Sequence, residues 1–435
     1  MSSKILIAGA GAAAVLAAGV YVGGVMYTKN TSEEHSKNAV SKVQTVLDEL
    51  EVPLELTEKG EPETSFGSSV HSYELSTPGE QAIPFRIRHS YGFGSVLSRL
   101  EVDDETYKKL HLEGADLEMV RNLVGGFSNT YSVFSDTSTS EFKLKEGKIS
   151  GSGVNLSWKT GGLTARLSGL SRETSAGGAL KLDLPEVELK PTAAEAAGEG
   201  LKVSGLHLDI DNPENLVTEV DFSLGNLAFA ADGRNSMVEK ARLKAVSKPS
   251  STGKNRFDID FNLDLGAYDY KTQNRSIEIR AGTLKIGMDN VNYNDIAARC
   301  GKNGVIPTGF DMDFSRCLQS LKNKERDTLL ASMVQADTRV GLDVNFSING
   351  SKVDLKNALS FKEGVDLSNS LSLLTSTQLK ADYSIDAKIF ENKDLELGGI
   401  GDFVKQYAKD PSASTLEYHI EFSNGAFLVN GKKLN

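Results

Sequence analysis

Residues 201–210 read Leu-Lys-Val-Ser-Gly-Leu-His-Leu-Asp-Ile, and Asp211 follows. Leu206, Leu208 and Ile210 alternate with His207, Asp209 and Asp211, a period of two that sends apolar side chains to one face of a strand and polar ones to the other. A strand of this kind suits an antiparallel sheet with one greasy and one wet face. The alternation recurs on both sides of this stretch, in 141–149, 154–159, 163–170, 180–189, 220–230 and 257–265. Turn signals separate the runs: Glu146-Gly147, Gly161-Gly162, Ala176-Gly177-Gly178, Asp211-Asn212-Pro213 and Asp232-Gly233. Strand after strand joined by short turns predicts antiparallel meanders.

Residues 54–102 alternate as well; Phe85, Ile87 and His89 share one face, and Arg86 and Arg88 the other. Strands are predicted again over 340–348 and 379–390. The chain closes with 416–422, a turn at Asn424-Gly425, 426–429 and a second turn at Asn430-Gly431. The phrases from Gly162-Leu163 to Gly169-Leu170 and from Gly200-Leu201 to Gly205-Leu206 hint at a loose repeat without a fixed period. Helical spacing interrupts the strands in a few places. These are 116–123, 292–299, 314–336, with an apolar stripe from Leu318, Leu321, Leu329, Leu330 and Met333, and 400–409.

The first thirty residues differ in kind. From Ile5 to Tyr27 every side chain is apolar, glycine or alanine apart from Tyr21 and Tyr27, a run long enough to cross a bilayer as a helix. A cleaved signal peptide is the competing reading, with Ala12, Ala14, Ala17 and Gly19 resembling a small-residue cleavage site; the run continues past them to Val25 and Met26, which favours an uncleaved anchor. Gly9, Ala13 and Ala17 lie four apart and permit close helix–helix approach, so a homo-oligomer through the anchor is one expectation. Thr31 and Glu34 have capping-box spacing, and Ala39, Val40, Val43, Val46, Leu47 and Leu50 form an amphipathic stalk that ends at Pro53. The stalk either packs on the body or pairs with a copy of itself.

The expected fold class is therefore α+β and β-dominated: an N-terminal transmembrane helix followed by extended antiparallel meander sheets with a few packed helices. The expected segments are an anchor over 1–30, a stalk over 31–52, a β-rich region over 53–290, a helical insertion over 291–338 and a second β-rich region over 339–435.

A formal charge of -11 repels phosphate backbones and anionic lipid headgroups, and no basic cluster in the sequence offsets it, so no nucleic-acid partner is expected. Cys300 and Cys317 are the only cysteines and flank a glycine- and proline-bearing loop; in an oxidising compartment they are expected to form a disulfide. Two cysteines with no nearby histidine do not supply the four ligands of a zinc site.

No spacing specifies a metal site, a nucleophile relay or a phosphate loop, so no catalytic, cofactor-binding or metal-ligating residue is assigned and no cofactor is expected. His89 draws notice because it ends a strand beside Ser90-Tyr91-Gly92; a hydrogen-bonded structural histidine is the plainer account. Asp209 with Asp211, Asp258 with Asp260 and Asp311 with Asp313 lie two apart, as on solvated strand faces, and provide too few oxygens for calcium.

Four stretches together resemble the YdgA-like family of Gram-negative envelope proteins, a family of unknown function. They are the apolar run leading into Tyr27-Thr28 with Glu34 and His35; residues 85–89 with Ser90-Tyr91-Gly92; Phe403, Val404 and Tyr407; and 418–422 with Asn424-Gly425 and Val429-Asn430-Gly431-Lys432. Where the family continues past the histidine with glycine and proline, this chain has Ser90 and Tyr91. The resemblance implies anchoring in the inner membrane by a single pass with the body in the periplasm, and it transfers no catalytic residue. The function expected is non-enzymatic: a scaffold for envelope protein partners, or a body that binds lipid or another hydrophobic ligand. The alternative is an envelope hydrolase whose site is assembled from distant residues.

Overall fold

The computed structural model describes residues 55–433 apart from 66–67, 77–81, 93–94, 110–113, 133–134, 136, 152, 169–176, 193–198, 213–217, 363–374, 396, 398–403 and most of 302–331. The predicted anchor, its small-residue face and the stalk lie outside the described residues, as do Asp311 and Asp313. Among the described residues no helix is long and apolar enough to cross a membrane. The longest, Gly114–Gly125, has 12 residues, against the roughly 20 a spanning helix needs. The α+β class with a transmembrane helix is thus corrected to a large antiparallel β-sheet. The chain divides into two compact units between Ala197 and Gly198.

In the first unit the strands β1 (Glu55–Thr64), β2 (Ser68–Ser76), β3 (Ile83–Gly92) and β4 (Ser95–Glu101) follow one another antiparallel. Two helices, α1 (Asp104–Lys109) and α2 (Gly114–Gly125), lead to β5 (Phe127–Ser132), which pairs with β4 and with β6 (Thr137–Leu144). Next come β7 (Gly147–Gly151), β8 (Val154–Trp158), β9 (Gly161–Ser168) and β10 (Gly177–Pro191). β6 pairs with β9 and β7 with β8 in one continuous register, and β10 runs past both β9 and β8. The predicted strand 141–149 is therefore broken at Lys145-Glu146, where the Trp158 indole donates to the Lys145 carbonyl at 2.7 Å.

The second unit is a meander of longer strands. They are β11 (Gly200–Asn212), β12 (Thr218–Ala231), β13 (Arg234–Pro249), β14 (Arg256–Lys271) and β15 (Ser276–Asn292), then α3 (Asn294–Cys300), β16 (Arg339–Ile348), β17 (Ser351–Phe361), β18 (Thr377–Asp386), β19 (Thr415–Ser423), β20 (Ala426–Val429) and β21 (Lys432–Lys433). Each strand pairs antiparallel with the next. The hairpin turns Asp232-Gly233, Asn349-Gly350, Asn424-Gly425 and Asn430-Gly431 all have positive φ at both residues, the conformation that a two-residue hairpin loop with the strands' own twist requires.

Three predicted boundaries change. The strand predicted to reach 390 ends at Asp386, whose side chain accepts from the Lys388 N–H and starts a 3-10 turn over Ala387–Glu391. The strand predicted over 257–265 runs on to Lys271. The predicted helix 400–409 gives way to turns from residue 406, with 404–405 helical and 400–403 outside the described residues; the helix predicted over 314–336 falls largely outside the described residues.

A line of unusual backbone crosses five strands of this unit. Register sets Gly205 opposite Gly225, Gly225 opposite Lys240, Lys240 opposite Gly266, and Gly266 opposite Ala281. Gly205, Lys240 and Ala281 have φ of 61°, 53° and 48°, the left-handed region. Between them Gly225 and Gly266 leave little room for a side chain: a Cβ would lie 3.0 Å from the Ser204 and Glu239 carbonyl oxygens respectively. A left-handed residue in a strand shifts the alternation of side chains by one, as in a bulge. The apolar residues shift parity at the same line, for example Leu201 and Val203 before Gly205 and Leu206, Leu208 and Ile210 after it. The two shifts compensate, which keeps the apolar side chains on one face along strands of up to 17 residues.

Candidate functional site

On the greasy face of the second unit, Leu208, Phe222, Leu243, Leu263, Leu284 and Val344 stand directly opposite one another on successive strands β11–β16. The row continues through Leu355 and Tyr383 to Tyr418. A parallel row runs from Ile210 through Val220, Ala245, Phe261 and Ile286 to Leu342. No charged side chain interrupts either row.

The cover over these rows is uneven. At the C-terminal end, Ala387, Phe390, Val404, Tyr407 and Ala408 pack onto Tyr383, Leu416, Tyr418 and Val429. There Ala381, Leu416 and Tyr418 are buried, and the Tyr418 hydroxyl donates to the Val404 carbonyl at 3.3 Å. Over the middle of β11–β16 most residues of the same kind stay half-buried: Leu208, Phe222, Leu243, Leu263 and Leu284 keep part of their surface in solvent, whereas Leu224 and, at the far end of the strands, Phe257 and Val291 are buried. Among the described elements, β12 and β13 make their substantial contacts with neighbouring strands. The covered end is an internal reference for what a second layer does to such side chains, and the middle strands lack that effect.

The opposite face is a charge ladder. Asp209, Asp221, Lys244, Asn262, Lys285 and Asp343 occupy one row, which continues through Lys356 and Asp382 to His419. Arg242 grips Asp221 through both carboxylate oxygens at 3.0 and 2.5 Å, a hydrogen bond that holds the Asp221 carboxyl below its ordinary range. His419 lies 2.7 Å from Asp382 and 3.3 Å from Glu421, and these hydrogen bonds raise its pKa. Such a face mixes the two signs and presents no block of one sign to a charged partner. Asp209 and Asp211 thus fall on the wet side as their spacing predicts. Asp258 has a structural task, its carboxylate accepting from the Asn290 N–H at 3.0 Å.

His89 belongs to a different arrangement, in the first unit. Ser69, His89, Ser98, Asn129 and Ser140 are opposite one another across β2–β6, a polar row on a buried face. The His89 Nδ1 lies 2.7 Å from the Ser98 hydroxyl, and its ring meets His71 edge-on at 5.2 Å between centroids. His71 in turn lies 3.1 Å from Glu58. Asn129 donates to Ser138 at 2.9 Å and Ser140 at 2.7 Å, and Ser69 shares a 2.8 Å bond with the Tyr91 hydroxyl. A serine beside a histidine invites comparison with a nucleophile and its base. Two facts weigh against that chemistry: His89 has no solvent exposure, and burial, with the nearby His71 charge adding to it, pushes its pKa down to about 3. A base that weak, sealed from substrate, is poorly matched to reactions near neutral pH.

Cys300 and Cys317 form the disulfide, with Cα atoms 5.5 Å apart. Among the described residues no group of three or more His, Cys, Asp or Glu side chains is placed to hold a metal ion. Sequence reading named the disulfide and drew attention to His89; it missed the register of the rows and the polar line around His89, because both depend on which strands pair.

Fold and site of the second unit together define a class: an antiparallel β-sheet with one face charge-laddered and the other apolar and, among the described residues, largely uncovered over β11–β14. No family model, curated protein or solved structure matches the chain.

Proposed function

We propose that the protein is a non-enzymatic body of the cell envelope whose uncovered apolar sheet face holds the acyl chains of lipids. The observation that carries this reading is the contrast along one face: Leu416, Tyr418 and Val429 are buried where Ala387, Phe390, Val404, Tyr407 and Ala408 pack against them, and Leu208, Phe222, Leu243, Leu263 and Leu284 are half-buried over β11–β16. Six strands at about 4.8 Å spacing make the uncovered row about 24 Å long, which exceeds the ~15 Å that one leaflet contributes to a bilayer's ~30 Å hydrocarbon core. Each methylene moved from water onto such a face is stabilised by up to about 0.8 kcal/mol. The rows offer few donors or acceptors, which suits a hydrocarbon ligand better than a polar peptide. Oxidised Cys300 and Cys317 support an oxidising compartment, and the resemblance of the chain's ends to YdgA-like envelope proteins supports the periplasmic side of the inner membrane.

Native mass spectrometry of the full chain purified from membranes tests the reading. Phospholipid bound in fixed stoichiometry is expected, and it is expected to be lost from Leu243→Glu with Leu263→Glu, two side chains whose uncovered position lets the sheet tolerate them. Lipid-free wild-type protein, or undiminished lipid on the folded double variant, would overturn it.

A further inference from the structure

We infer that the hairpin end of β11–β15 docks on an anionic phospholipid surface; the inference rests on the acyl-chain reading and names where the lipid is met. Phe229 and Leu201, directly opposite each other, are 46% and 36% exposed, and Phe229 is the most exposed large apolar side chain among those described. Their row continues through Ser236 to Tyr270 and Ile277. Just beyond it, at the strand tips, stand Arg234, opposite Ala231, and Lys271, opposite Asn235 and Ser276. Both are exposed, and neither has an ion pair among the described residues.

Arg234 and Lys271 are the cations at these tips on which docking would rest; of the carboxylates nearby, Glu199 accepts from the Asp232 N–H at 3.2 Å, and Asp269 and Glu278 lie 2.6 and 3.4 Å from Arg280. The other end of the same strands contrasts with these tips, because Arg256 is held there by Asp337 at 2.6 Å and Gln335 at 2.7 Å. Exposed aromatic and aliphatic side chains flanked by cations such as Arg234 and Lys271 are the arrangement that settles at a membrane interface, the rings among the headgroups and the cations at phosphate. The docking tips are also continuous with the apolar face: Val203, Leu227, Val238, Tyr268 and Ile279 form the next row inward. A lipid tail leaving the bilayer here meets apolar side chains at once.

The test uses the full chain with Phe229→Cys labelled by an environment-sensitive nitrobenzoxadiazole. With Cys300 and Cys317 paired, the introduced thiol is the one that reacts. On addition of phosphatidylglycerol–phosphatidylethanolamine vesicles the emission is expected to rise and shift to the blue, while a label at Lys248→Cys, at the opposite end of β13, stays unchanged. Arg234→Glu with Lys271→Glu is expected to weaken the vesicle response by at least about ten-fold, since each cation near an anionic surface contributes appreciably. A silent label at position 229, an equal response at both positions, or an equal response to pure phosphatidylcholine vesicles would overturn the docking surface. If the protein still carries lipid in the mass spectrometer, such a result removes this end as the docking site and leaves the acyl-chain face standing. Lipid-free protein removes the face itself.

Discussion

His89 was conspicuous in the sequence for its neighbours Ser90-Tyr91-Gly92; in the structure its importance comes from Ser98, Asn129 and His71, which no linear spacing brings together. With a folded-state pKa of about 3 against an unfolded value of about 6.5, the unfolded chain binds the proton more readily. Stability from this group is therefore complete above pH 6.5 and declines as pH falls from there toward 3. At pH 5 the loss is about 2 kcal/mol. His89→Gln should remove that acid-linked loss while costing about 1–3 kcal/mol at pH 7 through imperfect partnering of Ser98; urea unfolding of both proteins at pH 7 and pH 5 reads the two effects separately. Asn290 makes a second test at this scale. Its side chain accepts from Ser250 at 2.7 Å and from Thr252 at 2.5 Å and donates to the Asp337 carbonyl at 3.3 Å, with the backbone at φ 59°. Asn290→Ala leaves those groups without their partner and puts alanine in the left-handed region, so unfolding free energy should fall by about 2–3 kcal/mol.

At the scale of elements, alternation was legible wherever it ran unbroken, and the closing Asn-Gly hairpins were legible because only a few residues tolerate those turns. The line from Gly205 to Ala281 was not. Parity of the apolar residues changes there, so a reading that seeks strict alternation runs 201–210 and 220–230 across the change unnoticed, stops at Leu265, six residues before β14 ends, and passes over β13 and β15 entirely. The usable signal was the coincidence of a parity change with glycine at Gly205, Gly225 and Gly266; Lys240 and Ala281 carry no such mark. Because Lys240 occupies a conformation that glycine adopts freely, Lys240→Gly should raise stability by up to about 1 kcal/mol. Gly225→Ala, whose Cβ would crowd the Ser204 carbonyl, should lower it by about 1–2 kcal/mol. Thermal unfolding of the two variants side by side checks the opposite signs.

For the whole molecule, the composition anticipated a β-rich chain, and the two cysteines anticipated their disulfide. The pairing of distant strands could not be anticipated, and with it the rows that make one face greasy across β11–β19. Reduction of the disulfide, which closes a loop of sequence separation 17, should lower unfolding free energy by about 3 kcal/mol, measured by denaturation with and without reductant. The central claim is that the apolar rows of β11–β16 are a lipid surface and not a core awaiting a second layer. The most direct measurement is photo-crosslinking of the full chain in native membranes with a diazirine-bearing phospholipid, followed by peptide mapping. The account predicts adducts on the apolar rows around Leu208, Phe222, Leu243 and Leu263 and none on the ladder of Asp209, Asp221 and Lys244. Adducts confined to the ladder side, or absent from β11–β16 altogether, would contradict it.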